Sequence, residues 1–137
     1  MRFLVFSDTH GHIEKMADII AVHKPAAVFH LGDYVRDAHN VKLQFPDLKF
    51  YTVRGNGDFF APEPDSMVVQ EQQKKVFLCH GHLFSVKAGT QSFLQAAKAG
   101  GADIALYGHT HRACSCYEDG MHILNPGSLT MPQEGIP

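Results

Sequence analysis

The chain has few cysteines, no long apolar run and no cluster of basic residues. Its three cysteines are an odd number and give no disulfide framework. The N-terminal apolar run from Phe3 to Phe6 is broken by Ser7 and Asp8, which argues against a signal peptide and a membrane span. The 12 lysines and arginines are scattered and the formal net charge is −2, so no basic surface for docking nucleic acid is expected. These features favour a cytoplasmic protein with reduced thiols and with neither nucleic acid nor membrane as a partner.

The cysteines lie in strand-like segments. Cys114 and Cys116 alternate along one such segment, so we expect both side chains on one face, too far apart to bridge without distortion. Cys79 ends an apolar run directly before His80, which is typical of a buried strand residue. A thiolate ligand to a metal is the alternative at this position.

Length and composition predict one folding unit. A chain of 137 residues with 45% hydrophobic content can build one core but not two. No internal repeat, low-complexity tract or long linker interrupts it, and the segment 60–65 is typical of a surface loop. We therefore expect a single domain over residues 1–137.

The first half of the chain alternates strand and helix patterns, and the second half is hairpin-like. Eight runs have strand character: Arg2–Ser7, Ala27–Leu31, Lys49–Val53, Ser66–Gln70, Lys74–Cys79, Asp103–Tyr107, Ala113–Glu118 and Met121–Leu124. Helical patterns run from Ile13 to Ile20 before Pro25, from Asp37 to Phe45, and from Thr90 as N-cap to Gly100. This order predicts an α/β fold with mixed sheets flanked by helices. The predicted core consists of Leu4, Phe6, Val28, Leu31, Val53, Leu78 and Leu106.

Five short polar strings follow apolar runs in most cases: Ser7–His10, Gly32–Asp33, Gly55–Asp58, His80–His82 and Gly108–His111. Six of the ten histidines lie in or within two positions of these strings: His10, His12, His80, His82, His109 and His111. Aspartate, asparagine and neutral imidazole are ligands that Mn²⁺, Fe²⁺ and Zn²⁺ prefer. Loops that follow strands gather on one rim of a sheet. The sequence therefore predicts a metal site whose ligands come from several segments.

The motifs Asp-x-His, Gly-Asp, Gly-Asn, His-Gly-His and Gly-His-Thr-His, in that order, resemble the calcineurin-like metallophosphoesterase superfamily. Within it, the chain resembles the small single-domain phosphodiesterases of bacteria and archaea, whose Asn-Pro-Gly-Ser ending is similar to Asn125–Ser128. The resemblance extends from Asp8 to Ser128. It implies a four-layer α/β/β/α sandwich of two mixed β-sheets flanked by helices, which agrees with the order of predicted elements.

The resemblance also implies two divalent metal ions, with manganese favoured and zinc, iron, nickel or cobalt as alternatives. One ion is assigned to Asp8, His10, Asp33 and His111, and the other to Asp33, Asn56, His80 and His109. Asp33 then bridges the ions, and Asp33, Asn56 and His109 are the implied catalytic residues. Two cations about 3.5–4 Å apart can clamp the attacking and leaving oxygens and lower the pKa of water toward neutrality. The implied reaction is in-line attack of a bridging hydroxide on a small phosphodiester.

Residues beside the motifs leave alternatives open. His82 and His12 are candidate substrate contacts; His82 is equally consistent with a surface histidine, and His12 with a helix-start residue. Asp58 is expected to orient a ligand or its loop. Phe59 and Phe60 either pack under that loop or form a pocket wall. Glycines in four strings are expected to let the backbone turn sharply before each ligand: Gly32, Gly55, Gly81 and Gly108.

Gly57 departs from the family pattern, because many members carry a histidine there that is thought to protonate the leaving oxygen. A positioned general acid contributes about 10²–10⁴-fold. Its absence predicts either that aryl diesters are hydrolysed better than alkyl monoesters or that another group, His82 or His12, assists. It also keeps two other classes open: a scaffold module, as in the eukaryotic retromer subunit of this fold, and a metal-dependent sensing module.

The chain ends nine residues after Ser128, earlier than members of the family generally do. We therefore expect C-terminal strands to be absent or truncated, the sequence being either that of a naturally short member or a truncated piece. An unpaired sheet edge needs cover, which predicts a homo-oligomer.

Overall fold

The helices and strands occur in the predicted order. The computed structural model describes residues 3–7, 9, 11, 13–55, 58, 62–71, 73–82, 91–110, 113–118 and 120–127. The strands are β1 (Phe3–Phe6), β2 (Ala27–His30), β3 (Lys49–Thr52), β4 (Ser66–Glu71), β5 (Lys74–Cys79), β6 (Ile104–Leu106), β7 (Ala113–Glu118) and β8 (Met121–Pro126). The helices are α1 (Ile13–His23), α2 (Val35–Lys42) and α3 (Gln91–Ala99). Each strand end lies within two residues of its prediction, whereas α2 begins two residues and ends three residues earlier than predicted. No helix among the described residues is long and apolar enough to cross a membrane.

The strands form two sheets. The first has the order β1-β2-β3, and its three described strands are all parallel rather than mixed. The second has the order β4-β5-β6-β8-β7. In it β5, β6 and β8 are parallel, and the edge strands β4 and β7 pair antiparallel.

Side-chain alternation along the buried strands creates four layers. On β2, Val28 packs with Met16 and Ile20 of α1, whereas Phe29 packs on the opposite face against the second sheet. On β5, Leu78 faces the first sheet and Phe77 packs against α3. The order of layers is thus α1 and α2, first sheet, second sheet, α3, which confirms the predicted sandwich. The predicted core residues are buried apart from Leu4, which is partly buried.

The carboxyl ends of the parallel strands meet at one end of the sandwich. Backbone bonds continue past the strands of the first sheet, from Leu31 N to Phe6 O at 2.8 Å and from Val53 N to His30 O at 3.1 Å. The His80 ring then joins the two sheets, because its Nδ1 lies 2.9 Å from Leu31 O. This arrangement places the loops after β2, β3, β5 and β6 around one common rim.

Candidate metal centre

Three predicted metal ligands from three different loops come together at this rim. Nε2 of His80 lies 3.5 Å from Oδ2 of Asp33 and 3.1 Å from Nδ1 of His109. The rings of His80 and His109 are 4.9 Å apart at an angle of 66°. Residues 33, 80 and 109, far apart in the sequence, therefore share one site.

The orientation of the His80 ring is set by the backbone. The ring is fully buried, and a carbonyl oxygen only accepts hydrogen bonds, so Nδ1 must donate its hydrogen to Leu31 O. In the neutral ring Nε2 then carries a lone pair, and His109 Nδ1 donates to it. The carboxylate of Asp33 is a second acceptor facing the same space. An imidazole lone pair and a carboxylate that converge in this way fit a divalent transition metal.

The backbone is strained at two of these ligands. Asp33 has φ 58° and His109 has φ 71°, left-handed conformations that cost a non-glycine residue about 1–3 kcal/mol and that cluster at functional sites. Gly32 and Gly81 have φ of 100° and 110°, as the predicted turns require. Gly108 does not have a positive φ; in that loop His109 itself adopts it, and Thr110 N donates to Gly108 O at 2.8 Å across the turn.

The loops after β2 and β3 touch without room for a side chain between them. A Cβ on Gly32 would lie 2.8 Å from the Gly55 Cα, and a Cβ on Gly55 would lie 2.6 Å from the Asp33 backbone nitrogen. Both distances are below any that real Cβ atoms adopt. At Gly55 the reason for glycine is therefore close approach to Asp33 rather than a turn.

Asp58 fastens these two loops to each other. Its Oδ2 accepts from the backbone N–H of Asp33 at 2.7 Å and of Gly55 at 2.9 Å. Its Oδ1 accepts from the N–H of Tyr34 at 2.7 Å and of Val35 at 3.0 Å. This carboxylate satisfies amides at the start of α2, where Tyr34 provides no side-chain cap. The structure confirms that Asp58 orients its loop, and it adds that Asp33 is held directly.

Asn125 holds the loop that carries His109. The side chain is buried, and its Nδ2 donates to Gly108 O at 3.3 Å and to Thr110 Oγ1 at 2.9 Å. Its Oδ1 accepts from Gly127 N at 2.8 Å. The sequence contained a signal for this residue, the Asn-Pro-Gly string, but the contacts it makes are visible only in the fold.

His82, a predicted substrate contact, lies beside the site. His82 is half-buried, with its ring 5.5 Å from that of His80 and 6.2 Å from that of His109. Its Nδ1 is buried without a hydrogen-bond partner among the described residues, and burial lowers the pKa of the His82 ring.

Cys79 packs on the α3 side of β5, opposite to His80, and burial raises the pKa of its thiol to about 12. The Cys79 thiol is therefore a core group and does not supply the thiolate considered as an alternative.

The remaining predictions lie outside the described residues. These are the metal ligands Asp8, His10, Asn56 and His111, the candidate substrate contact His12, the Gly57 position and the Phe59–Phe60 pair. Within the described ranges no group of three or more histidine, cysteine, aspartate and glutamate side chains forms a metal site by itself. The complete ligand set stays a prediction, of which Asp33, His80 and His109 are the described part.

The family is established by comparison with known proteins. Residues 1–137 match the calcineurin-like phosphoesterase superfamily domain, and the chain belongs to this superfamily. It is 31% identical over 136 residues to a probable metallophosphoesterase of Bacillus subtilis, covering 97% of this chain and 78% of that protein. It is 28% identical, over an alignment 155 residues long, to a phosphodiesterase of Methanocaldococcus jannaschii. That alignment covers 100% of this chain and 89% of the relative.

Solved structures agree with the fold. A Streptococcus pneumoniae protein described as a predicted phosphoesterase matches with a TM-score of 0.80 at 33% identity, over 98% of this chain and 76% of that one. Structures of Vps29 from several eukaryotes match at 20–24% identity with TM-scores of 0.73–0.81, a likeness that shows the fold alone. The chain thus has the fold of a predicted phosphoesterase and is similar in sequence to a probable metallophosphoesterase and a phosphodiesterase.

Proposed function

We propose that this chain is a phosphodiesterase that depends on two divalent metal ions. The proposal is carried by one observation. Asp33 Oδ2, His80 Nε2 and His109 Nδ1 converge at the rim where strands of the two sheets end. Names of metallophosphoesterase and phosphodiesterase among the relatives support the same reaction class. The predicted ligands Asp8, His10, Asn56 and His111 would complete the metal-binding set.

The protein's own part in this chemistry is positioning. Divalent ions held by these residues would supply positive charge for the phosphoryl oxygens and a lowered pKa for water. Asp58 fixes the Asp33 backbone, Leu31 O fixes the His80 ring and Asn125 fixes the His109 loop. A site held by such hydrogen bonds needs little rearrangement when substrate binds.

His82 is the group we assign to the substrate phosphate. Its ring lies next to those of His80 and His109, and the residue is half-buried at the rim rather than enclosed in the core. With Gly57 in place of a general acid, an aryl diester with a good leaving group is the favoured substrate class. The His82→Gln variant is expected to lose about tenfold or more in kcat/KM while it still binds metal.

Hydrolysis of bis(p-nitrophenyl) phosphate by metal-stripped protein tests the proposal. Added Mn²⁺ should restore activity to the parent protein and to Asp47→Asn, a control at an exposed loop position remote in sequence from every motif. It should leave Asp33→Asn at least about 10²-fold slower, because the predicted bridge is gone. Equal activity in Asp33→Asn, or faster turnover of alkyl monoesters than of aryl diesters, would contradict the account. Tight Mn²⁺ binding without turnover would favour the scaffold or sensor alternative.

Other expectations stay predictions beside this proposal. The cytoplasmic location stays a prediction from the sequence. The homo-oligomer is tested by the molar mass in solution, where a monomer at high concentration would count against it. Manganese is the favoured metal, and metal analysis of protein purified without added ions tests that preference.

A further inference from the structure

A buried chain of polar groups lies under the first motif loop, on the helix-facing side of the first sheet. Thr9 is fully buried, and its Oγ1 lies 3.1 Å from Nε2 of His30, at the end of β2. The Thr9 hydroxyl also donates to Oδ2 of Asp37, in the first turn of α2. The same carboxylate oxygen accepts from Gly11 N at 2.8 Å. His30 and Asp37 are both buried, with 0% and 3% of their surface exposed.

The hydrogen bonds of this network can be assigned in one consistent direction. Gly32 N donates to His30 Nδ1 at 3.1 Å, so Nδ1 carries the lone pair and Nε2 carries the hydrogen. Nε2 then donates to Thr9 Oγ1, and the Thr9 hydroxyl is left to donate to Asp37. Burial lowers the pKa of His30 to about 4, which keeps the ring neutral in this arrangement at neutral pH. Each hydrogen bond of this network thus joins one donor to one acceptor.

The residues at both ends of this hydrogen-bond network are next to predicted metal ligands in the sequence. Gly32 directly precedes Asp33, and Thr9 lies between Asp8 and His10. Gly11, whose amide is bonded to Asp37, follows His10. One network therefore holds the backbone at the loop after β1 and at the loop after β2, which provide ligands to the same predicted ion.

We propose that Thr9, His30 and Asp37 are positioning residues for the metal site, and that they set the spacing between the Asp8–His10 segment and Asp33. This inference rests on the proposed function, because it concerns ligands of the same site. None of the three residues is itself a ligand; they act through the backbone of the loops. Residues that orient metal ligands in this way typically change metal affinity or activity by about 10–100-fold when removed.

Two pairs of variants test the proposal, with calorimetric titration of Mn²⁺ into metal-stripped protein at 25 °C as the readout. Thr9→Val keeps the shape of the side chain but removes the hydroxyl, and Asp37→Ala removes the shared acceptor. Each is expected to bind Mn²⁺ about 10–100-fold more weakly than the parent protein. Thr9→Ser and Asp37→Asn keep the bonding oxygen and should remain within about threefold of the parent. Either pair is sufficient if one variant does not fold.

Ile123→Val is the matched control for lost stability. Ile123 is buried against α3, on the far side of the second sheet, so this variant should lower the melting temperature without changing Mn²⁺ affinity. A purely structural role for the network predicts the same result for Thr9→Val and Asp37→Ala, and that result would overturn the proposal. If the parent protein itself binds no Mn²⁺, the proposed function fails first and the inference fails with it. Binding by the parent and equally by the variants overturns the positioning role alone.

Discussion

Each predicted ligand of the candidate metal centre that the structure describes is held by a residue outside the predicted ligand set. Leu31 O orients His80, Asp58 holds the backbone of Asp33, and Asn125 holds the loop around His109. These partners oppose the strain of two left-handed backbones. At the residue scale the site is therefore built by hydrogen bonds from its surroundings as much as by the ligands themselves.

The His30 imidazole should stay neutral well below neutral pH. Burial lowers its pKa from 6.5 to about 4, so between these values the unfolded chain binds a proton that the folded chain does not. The free energy of unfolding should thus fall by about 3 kcal/mol from this residue as the pH drops from 6.5 to 4. Nitrogen-15 shifts of the ring between pH 7.5 and 5 measure its state directly. We expect hydrogen on Nε2 and no titration; a titration near 6.5, as in N-acetyl-histidine in the same buffer, would contradict the prediction.

At the scale of elements, the closest contact in the site is between the loops that follow β2 and β3. Gly32 and Gly55 lie against each other, and a side chain on either would displace the Asp33 loop. The parallel pairing of the two strands, with His30 opposite Thr52, brings the loops that carry these glycines side by side. The spacing of the predicted ligands therefore depends on the absence of two side chains.

Gly32→Ala and Gly120→Ala separate the cost of this contact from the cost of backbone strain. Both glycines have positive φ, 100° and 77°, but a Cβ on Gly120 meets nothing within 4 Å, whereas one on Gly32 overlaps the backbone at Arg54 and Gly55. Gly120→Ala should cost about 1–2 kcal/mol of stability. Gly32→Ala should cost about 1–3 kcal/mol more, because the loops must separate. Urea unfolding of both variants measures the difference, and equal losses would show that the contact is relaxed easily.

Elements were predictable from the sequence because their signals are local. Strand alternation and the apolar runs placed all eight strands within two residues, and the amphipathic stripe from Ile13 to Ile20 placed α1. The polar network was not predictable, since Thr9, His30 and Asp37 are joined across 21 to 28 residues and show no shared pattern in the sequence. His30 in particular lies outside every motif, and only the fold shows that its ring is bonded to Thr9. The same limit applies to Asn125, whose partners depend on the pairing of β6 with β8.

At the scale of the whole molecule, the candidate site joins the two sheets. Asp33 follows a strand of the first sheet, whereas His80 and His109 follow strands of the second. Between them the sheets share a core of large apolar side chains that includes Phe29, Leu31 and Leu78. A ligand bound by both sides at the rim would therefore favour the folded state of the entire sandwich.

Metal should raise the thermal stability of the chain through this link. At a free Mn²⁺ concentration about 100-fold above the Kd, one bound ion stabilises the folded state by about 2.7 kcal/mol. For a chain of this size that corresponds to a rise in melting temperature of roughly 10 °C. Calorimetric scans with Mn²⁺ and with a chelator measure the shift. Asp33→Asn should lose most of it, and an equal shift in this variant would place the bound metal elsewhere.

The central claim is that Asp33, His80 and His109 bind a divalent metal at the rim between the sheets. A crystal grown with Mn²⁺ and measured for anomalous scattering at the manganese edge tests it most directly. The account predicts an anomalous peak within coordination distance of both His80 Nε2 and a carboxylate oxygen of Asp33. Anomalous peaks elsewhere on the protein, with His80 Nε2 still hydrogen-bonded only to His109, would contradict it.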